Sequence, residues 1–210
     1  MKRKLPAVSP AYAVVVDGET EVWYLQMLKR NERDIRVSIK PEIPSKKSIT
    51  EQFNLVCELA VKEFTKVFWL LDLDTVIRES NAVIKGKSSP LLLLEQYRQQ
   101  LTNNYPNAII IINNPCLEFW FLLHFENTTK VFNSCMSAVA ALKTHIKNYE
   151  KSQRFFTQYN NDIYMRLKPY LKQALQNSKA LGRFNSQYPS KALCEMQLFF
   201  MAEELRSYFE

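Results

Sequence analysis

The chain has 210 residues, of which 47% are hydrophobic, and a formal net charge of +7. This content can bury a sizeable core, and only three glycines argue against a β-sandwich or barrel, which need many tight turns. No apolar run approaches the roughly 20 residues that span a bilayer, and the basic start MKRKLPAVSP lacks a plausible cleavage site. We therefore expect a cytoplasmic protein with no membrane association, and four reduced, buried cysteines: Cys57, Cys116, Cys135 and Cys194.

Strands and helices alternate over the first part of the chain. Short apolar runs predict strands at 11–16, 35–39, 67–71 and 108–112. Amphipathic or capped segments predict helices at 19–32, 48–64, 91–103 and 115–124, the second of them starting at Ser48 with Glu51 in capping-box spacing. Apolar strands that alternate with helices predict an α/β fold, in which helices flank a mostly parallel sheet.

The strand pattern stops after about residue 127, and the remaining sequence reads as helical. The main predicted helices cover 131–148, 162–180 and 191–209. We therefore expect an α/β domain over residues 1–126 and a helical, basic C-terminal region over residues 127–210 that packs on it.

Positive charge is concentrated in this second region. Residues 1–126 carry 16 basic and 15 acidic residues, residues 127–210 carry 12 and 6, and the segment 143–191 carries 10 and 2 together with eight Tyr and Phe residues. This composition suits a surface that binds a phosphate backbone, with Lys147, Lys151 and Arg154 as candidate nucleic-acid ligands. It equally suits solvated amphipathic helices whose aromatic residues point into the core.

Acidic and amide side chains follow three of the predicted strands. The first strand ends in Asp17-Gly18-Glu19-Thr20-Glu21, the third in Asp72-Leu73-Asp74, and the fourth in Asn113-Asn114-Pro115, with Glu118 one turn further on. The carboxyl ends of parallel strands meet at one edge of the sheet, where active groups gather. We therefore expect these side chains to lie close together.

The spacing of Asp72 and Asp74, which alone also occurs in helix caps and solvated loops, points to a metal ion together with the second acidic cluster. In an extended backbone both side chains lie on the same face, and two adjacent carboxylates repel one another unless a cation or a proton neutralises one of them. Mg²⁺ takes oxygen ligands and commonly binds one or two carboxylates together with substrate phosphates. Gly18 permits a tight turn beside Asp17.

Three stretches resemble a known family. VVVDGETE, followed later by DLD, is similar to the acidic motifs of TOPRIM domains, and VVVDGETE resembles the VEGxTE of the nuclease branch. NNPCLEFWFLLHFE closely resembles the NPxxExWxLLHF signature of the RloB-like family, which is TOPRIM-related and associated with phage resistance and abortive infection. Tyr188-Pro189-Ser190-Lys191 stands where that family has an Asn-Pro-Ser-Thr turn, so the resemblance spans roughly residues 11–206.

The resemblance implies a TOPRIM-like fold and a site. Asp17 takes the place of the TOPRIM glutamate, although it is one methylene shorter, Asp72 and Asp74 match the DxD pair, and Glu21 matches the second acid. These four residues are the implied catalytic residues, and Asp17, Asp72 and Asp74 would bind Mg²⁺ or Mn²⁺. The implied function is that of a Mg²⁺-dependent nuclease in phage defence, acting with partner proteins encoded beside defence or restriction–modification genes. The alternative is a non-catalytic module that senses nucleic acid or a nucleotide.

Four further residues are expected beside the site: Gly18, Asn114, Glu118 and His124. A glutamate amid NPCLEFWFLL is costly to bury unpaired, so Glu118 either pairs with Lys or Arg or faces the carboxylates. His124 either lies in the core or contacts the acidic site. Cys116 is expected to be a structural thiol rather than a nucleophile, because no histidine stands at a catalytic spacing from it.

Overall fold

The computed structural model describes residues 9–45, 48–83 and 88–209. The elements up to residue 122 are β1 (Ala11–Val15), α1 (Glu19–Asn31), β2 (Ser38–Glu42), α2 (Ile49–Ala60), β3 (Lys66–Asp72), α3 (Leu73–Asn81), α4 (Pro90–Asn104), β4 (Ala108–Asn114) and α5 (Leu117–Leu122). They are followed by α6 (Cys135–His145), α7 (Gln153–Phe156), α8 (Ile163–Leu167), α9 (Leu171–Leu181), β5 (Leu193–Cys194) and α10 (Gln197–Phe200), with 3₁₀ turns at Lys168–Tyr170 and Arg206–Tyr208.

The strands form one five-stranded sheet in the order β2-β1-β3-β4-β5. The first four strands are parallel, and β5 pairs antiparallel with the end of β4 through Asn113–Cys194 and Asn114–Leu193. This confirms the predicted α/β fold with a mostly parallel sheet. The carboxyl ends of β1, β3 and β4 lie side by side, as the position of the acidic motifs requires.

The two faces of the sheet bury separate cores. One core joins Val14, Phe68 and Ile111 to apolar residues of α1, α5, α6 and α8 to α10. The other joins Val15, Trp69 and their neighbours to α2, α3 and α4. Since successive side chains of a strand point to opposite faces, this alternation fixes which strand-end residues face α1 and α5.

Several predicted boundaries of strands and helices differ from those in the structure. The second strand lies at Ser38–Glu42 rather than 35–39; it contains Pro41, which is tolerated because β2 is an edge strand. Helix α3 was not predicted. The Ser48 cap is confirmed, since its hydroxyl accepts a hydrogen bond from the Glu51 N–H, but α2 ends at Ala60.

The C-terminal region differs most from the prediction. The expected loss of all strands after residue 127 is wrong, because Leu193 and Cys194 complete the sheet. The predicted helix at 191–209 is reduced to α10 and a 3₁₀ turn, and that at 162–180 is divided by the 3₁₀ turn around Pro169. A proline cannot donate the hydrogen bond that a continuous helix needs there. None of the helices in the described ranges is long and apolar enough to cross a membrane.

Most aromatic residues of the basic segment belong to the core. Five of the eight are buried, and the other three are exposed: Tyr149, Phe155, Phe156, Tyr164 and Phe184 against Tyr159, Tyr170 and Tyr188. The alternative of helices with inward-facing aromatic residues therefore holds for these five.

Two of the four cysteines form a disulfide, so the expectation of four reduced thiols is wrong. Cys116 and Cys135 are bonded, with their Cα atoms 5.5 Å apart, whereas Cys57 and Cys194 are free. Cys116 is the N-cap of α5 and Cys135 is the first residue of α6. These two helices pack together, and the 19-residue sequence separation gave no sign of that contact.

Candidate metal centre

Three carboxylates converge at the carboxyl ends of β1 and β3. Each of Asp17, Glu21 and Asp72 offers an oxygen, and these oxygens all lie within 4.8 Å of one another. Asp17 follows β1, Asp72 is the last residue of β3, and Glu21 projects from the first turn of α1. The strand-end positions in the sequence therefore do become one cluster in space.

Glu21 is fixed by its local surroundings. It is buried, and its Oε2 accepts a hydrogen bond from Thr20 Oγ1 at 3.0 Å. A Cβ atom at Gly18, the N-cap of α1, would stand 3.1 Å from that same oxygen. The glycine of the motif thus allows the Glu21 carboxylate to approach the backbone of the turn.

Asp74 lies apart from the three clustered carboxylates. Helix α3 begins at Leu73, so the expectation that an extended backbone places Asp72 and Asp74 on one face is wrong. The Asp74 Oδ2 instead accepts a hydrogen bond from the Cys135 N–H at 3.1 Å, at the start of α6. Its backbone N–H donates to the Pro115 carbonyl oxygen at 3.2 Å. Asp74 therefore joins the start of α3 to the segment between β4 and α5 and to the start of α6.

The two asparagines that end β4 have different roles. The Asn114 amide donates to the carbonyl oxygens of Pro189 and Lys191, at 3.1 and 2.7 Å, and so anchors the Tyr-Pro-Ser-Lys turn. Asn113 pairs in register with Asp72 and is buried, and within the described residues its Oδ1 has no hydrogen-bond partner. The period of two along β4 places Asn113 on the Ile111 face of the sheet, whereas the residue predicted beside the site is Asn114.

Glu118 both pairs with a cation and faces the acidic cluster. Its side chain is 1% exposed, and its Oε1 accepts hydrogen bonds from Tyr149 Oη and from Lys151 Nζ, each at 2.7 Å. The charge of Glu118 also contributes to the raised pKa of Glu21 and of Asp72, so Glu118 lies near the cluster, and both options that the sequence left open for it are realised.

The electrostatics of the cluster favour a bound cation. Burial, followed by the charge of Asp17, raises the pKa of Glu21 from 4.5 to about 7. Burial, followed by the charges of Glu21 and Asp17, raises the pKa of Asp72 well above its ordinary value. A divalent cation would reverse both effects, since it favours the ionised carboxylates. The donor set, which is made of carboxylate oxygens with the Asn113 amide oxygen on the same face, fits Mg²⁺ or Mn²⁺.

His124 belongs to the core rather than to this cluster. It is fully buried, its ring packs edge-on against Trp120, and its Nδ1 lies 2.9 Å from the Trp120 carbonyl oxygen. Burial lowers the pKa of His124 to about 3, which keeps the imidazole neutral. Its Nε2 has no hydrogen-bond partner among the described residues.

The chain matches one family model, that of the RloB-like proteins, over residues 12–200. This match covers both the acidic strand ends and the NNPCLEFWFLLHFE segment. The chain belongs to the RloB-like family. The comparisons with curated proteins and with solved structures give no significant match.

The three candidate nucleic-acid ligands of this RloB-like protein lie in different environments. Lys147 and Arg154 are exposed, in the loop after α6 and in α7 respectively. Lys151 reaches the acidic site and lines a cavity of about 520 Å³ together with Asp17, Gly18 and Thr20. A second cavity of about 380 Å³ opens beside Asp74 and is lined by Arg78 and Asn114. Of the acidic residues predicted for the site, Asp17 therefore lines one open cavity, and Asp74, which lies outside the cluster, lines the other.

Proposed function

We propose that this RloB-like protein is a Mg²⁺- or Mn²⁺-dependent phosphodiesterase that acts on nucleic acid. The observation that carries the proposal is the group of three carboxylates, Asp17, Glu21 and Asp72, within 4.8 Å of one another beside an open cavity. Carboxylates whose pKa is raised by burial and mutual repulsion are the groups that a hard divalent cation stabilises.

The topology supports a TOPRIM-like reading of the fold. Asp17 follows β1 and Asp72 ends β3, which are neighbouring parallel strands, and Gly18 leads directly into α1. This matches the order of motifs in TOPRIM domains that the sequence resembles. Asp72 takes the part of the first DxD aspartate, whereas Asp74 supports the packing of α6 rather than joining the three carboxylates.

The residues of the site would have different roles in the hydrolysis of a phosphodiester. When bound, the cation supplies Lewis-acid polarisation of the phosphate and lowers the pKa of a coordinated water. Asp72 and Glu21 would hold it, with the Asn113 Oδ1 as a further oxygen on the same face. Asp17 lines the cavity and is only partly buried, so it is placed to accept a proton from the attacking water. As the water oxygen bonds to phosphorus the ester P–O bond breaks, and the proton passes to the leaving oxygen.

A role in phage defence is part of the proposal, and it rests on the resemblance of NNPCLEFWFLLHFE to the RloB-like signature. A nuclease in such a system would act with partner proteins that recognise infection. The exposed Lys147 and Arg154 are candidates for backbone contacts outside the catalytic cavity.

A cleavage assay tests the activity directly. Labelled single- and double-stranded DNA and RNA are incubated with the purified chain in Mg²⁺, in Mn²⁺ and in EDTA, and Asp72→Ala is compared with the exposed control Asp34→Ala. We expect cleavage that requires the metal and Asp72 and is unaffected in the control. Nucleic-acid binding without cleavage in wild type would favour the sensor alternative instead.

A further inference from the structure

Lys151 and Glu118 form an ion pair inside the acidic site, although Lys151 comes from the basic segment. The Nζ–Oε1 distance is 2.7 Å, and the two side chains are 46% and 1% exposed respectively. Tyr149 Oη holds the same Glu118 oxygen at 2.7 Å, and Tyr149 is itself buried. The position of the Glu118 carboxylate is therefore fixed, and the ion pair in turn holds the Lys151 ammonium group in place.

The ammonium group of Lys151 keeps donor capacity beyond its ion pair. An ammonium group has three donors. One points at Glu118, and the Cys135 Sγ lies 3.4 Å from the nitrogen. Lys151 also lines the cavity that contains Asp17, Gly18 and Thr20. The half-exposed Lys151 side chain also borders a cavity of about 630 Å³ beside Tyr149, so it is open to a ligand while it stays paired with Glu118.

We propose that Lys151 binds the substrate phosphate at this site, and that Glu118 and Tyr149 are its positioning residues. This inference rests on the proposed function. The carboxylates attract a cation but repel a phosphodiester, so a substrate needs positive charge on the open side of the cluster. The Lys151 ammonium group supplies a point charge for a non-bridging oxygen, and negative charge on that oxygen grows in the transition state. Glu118 is accordingly a partner of Lys151 rather than a metal ligand.

Three substitutions separate phosphate binding from mere neutralisation of Glu118. Lys151→Met should lower kcat by about a hundredfold or more, as is typical when a preorganised transition-state donor is lost. It should also lower the Tm, because Glu118 is left buried and unpaired. The double variant Lys151→Met with Glu118→Gln should regain most of the Tm but not the cleavage. Lys151→Arg should retain part of the activity because it keeps the charge.

Two controls complete the experiment. Lys29→Met removes an equally charged but exposed lysine of α1 and should cleave like wild type. Calorimetric titration with Mn²⁺ alone should show that Lys151→Met binds the metal at least as tightly as wild type, whereas Asp72→Ala loses it. This readout needs no nucleic acid.

The outcomes distinguish this inference from the function on which it rests. If the double variant cleaves at the wild-type rate, Lys151 serves only to neutralise Glu118; the inference fails and the proposed nuclease stands. If Lys151→Met weakens Mn²⁺ binding as much as Asp72→Ala does, Lys151 supports the metal centre and the inference also fails. If wild type cleaves none of the DNA and RNA probes, the proposed function fails and the phosphate contact fails with it.

Discussion

The carboxylate site and the basic segment 143–191 differ in how the positions of their charged residues in the sequence relate to their positions in the structure. Asp72 lies more than 50 residues after Asp17 and Glu21 in the sequence, yet the oxygens of all three converge within 4.8 Å. The ten basic residues of the segment are close in the sequence, yet several are engaged elsewhere. Lys168 pairs with Glu32 and Arg183 with Glu195, while Lys151 enters the acidic site.

This difference follows from the fold. Parallel strands bring their carboxyl ends to one edge of a sheet wherever those strands lie in the sequence. Short helices such as α7, α8 and α9 turn successive side chains in all directions, so a run of lysines and arginines does not become one surface. A charge imbalance over a segment is therefore weaker evidence for an interface than a few carboxylates at strand ends.

The largest expected effect is at Asp72. Asp72→Asn keeps the shape of the side chain but removes a negative charge from the cluster. Metal-dependent cleavage should fall by more than about a hundredfold, because the loss of residues that only support a metal ligand already lowers metal affinity or activity 10–100-fold. Salt-dependent binding of nucleic acid should persist. The measurement is cleavage in Mn²⁺ beside filter binding in EDTA. Asp74→Asn is the matched variant, and an equal loss there would show that Asp74 works with the cluster despite its contact with the Cys135 N–H.

The Cys116–Cys135 disulfide should contribute to stability beside the site. A cross-link that closes a loop of this length stabilises by about 3 kcal/mol, mainly by restricting the unfolded chain. Denaturant unfolding with and without reductant should show that difference in wild type and none in the double variant Cys116→Ser with Cys135→Ser. A wild type whose midpoint does not respond to reductant would contradict the disulfide.

Part of this architecture could be predicted from the sequence. The apolar strands and the acidic residues at their ends can be recognised from local sequence patterns. Because the carboxyl ends of parallel strands lie at one edge of the sheet, these patterns also predict that Asp17 and Asp72 lie close together. The resemblance of NNPCLEFWFLLHFE to the RloB-like signature is confirmed by the family match over residues 12–200.

The rest depended on contacts that no local pattern specifies. Lys151 reaches Glu118 only because Tyr149 packs into the core beside α5, and the disulfide forms only because α5 and α6 adjoin. Asp74 was misplaced because the start of a helix at Leu73 cannot be distinguished from an extended loop in DLDTV. Asn113 and Asn114 lie on opposite faces of β4, and which of these faces meets the carboxylates depends on the packing of α1 and α5 on the sheet.

The metal-free cluster should make stability depend on pH. The pKa of Glu21 is raised to about 7 in the folded protein from 4.5. The unfolded chain therefore loses its proton first as the pH rises, and stability that is complete below about pH 4.5 is lost as the pH passes 7. In EDTA the free energy of unfolding should fall by about 2 kcal/mol from pH 5 to pH 8. Glu21→Gln should reduce this slope, and Mg²⁺ should reverse it because metal binding requires ionised carboxylates. A slope unchanged by Glu21→Gln would show that other groups cause it.

The smallest expected effect concerns the exposed residues of the basic segment. Lys147 and Arg154 are both exposed, and replacing both with Ala should weaken nucleic-acid binding whatever the sequence of the probe. For each phosphate that is no longer neutralised, the slope of log K against log salt should decrease in magnitude by about 0.9 on duplex DNA and about 0.7 on single strands. The comparison variant is Lys29→Ala with Lys62→Ala, which removes the same charge from α1 and from the loop after α2. Binding is measured in EDTA at several salt concentrations, so that cleavage does not interfere. If both double variants lower the slope equally, the basic segment holds no dedicated interface, and the affinity reflects net charge alone.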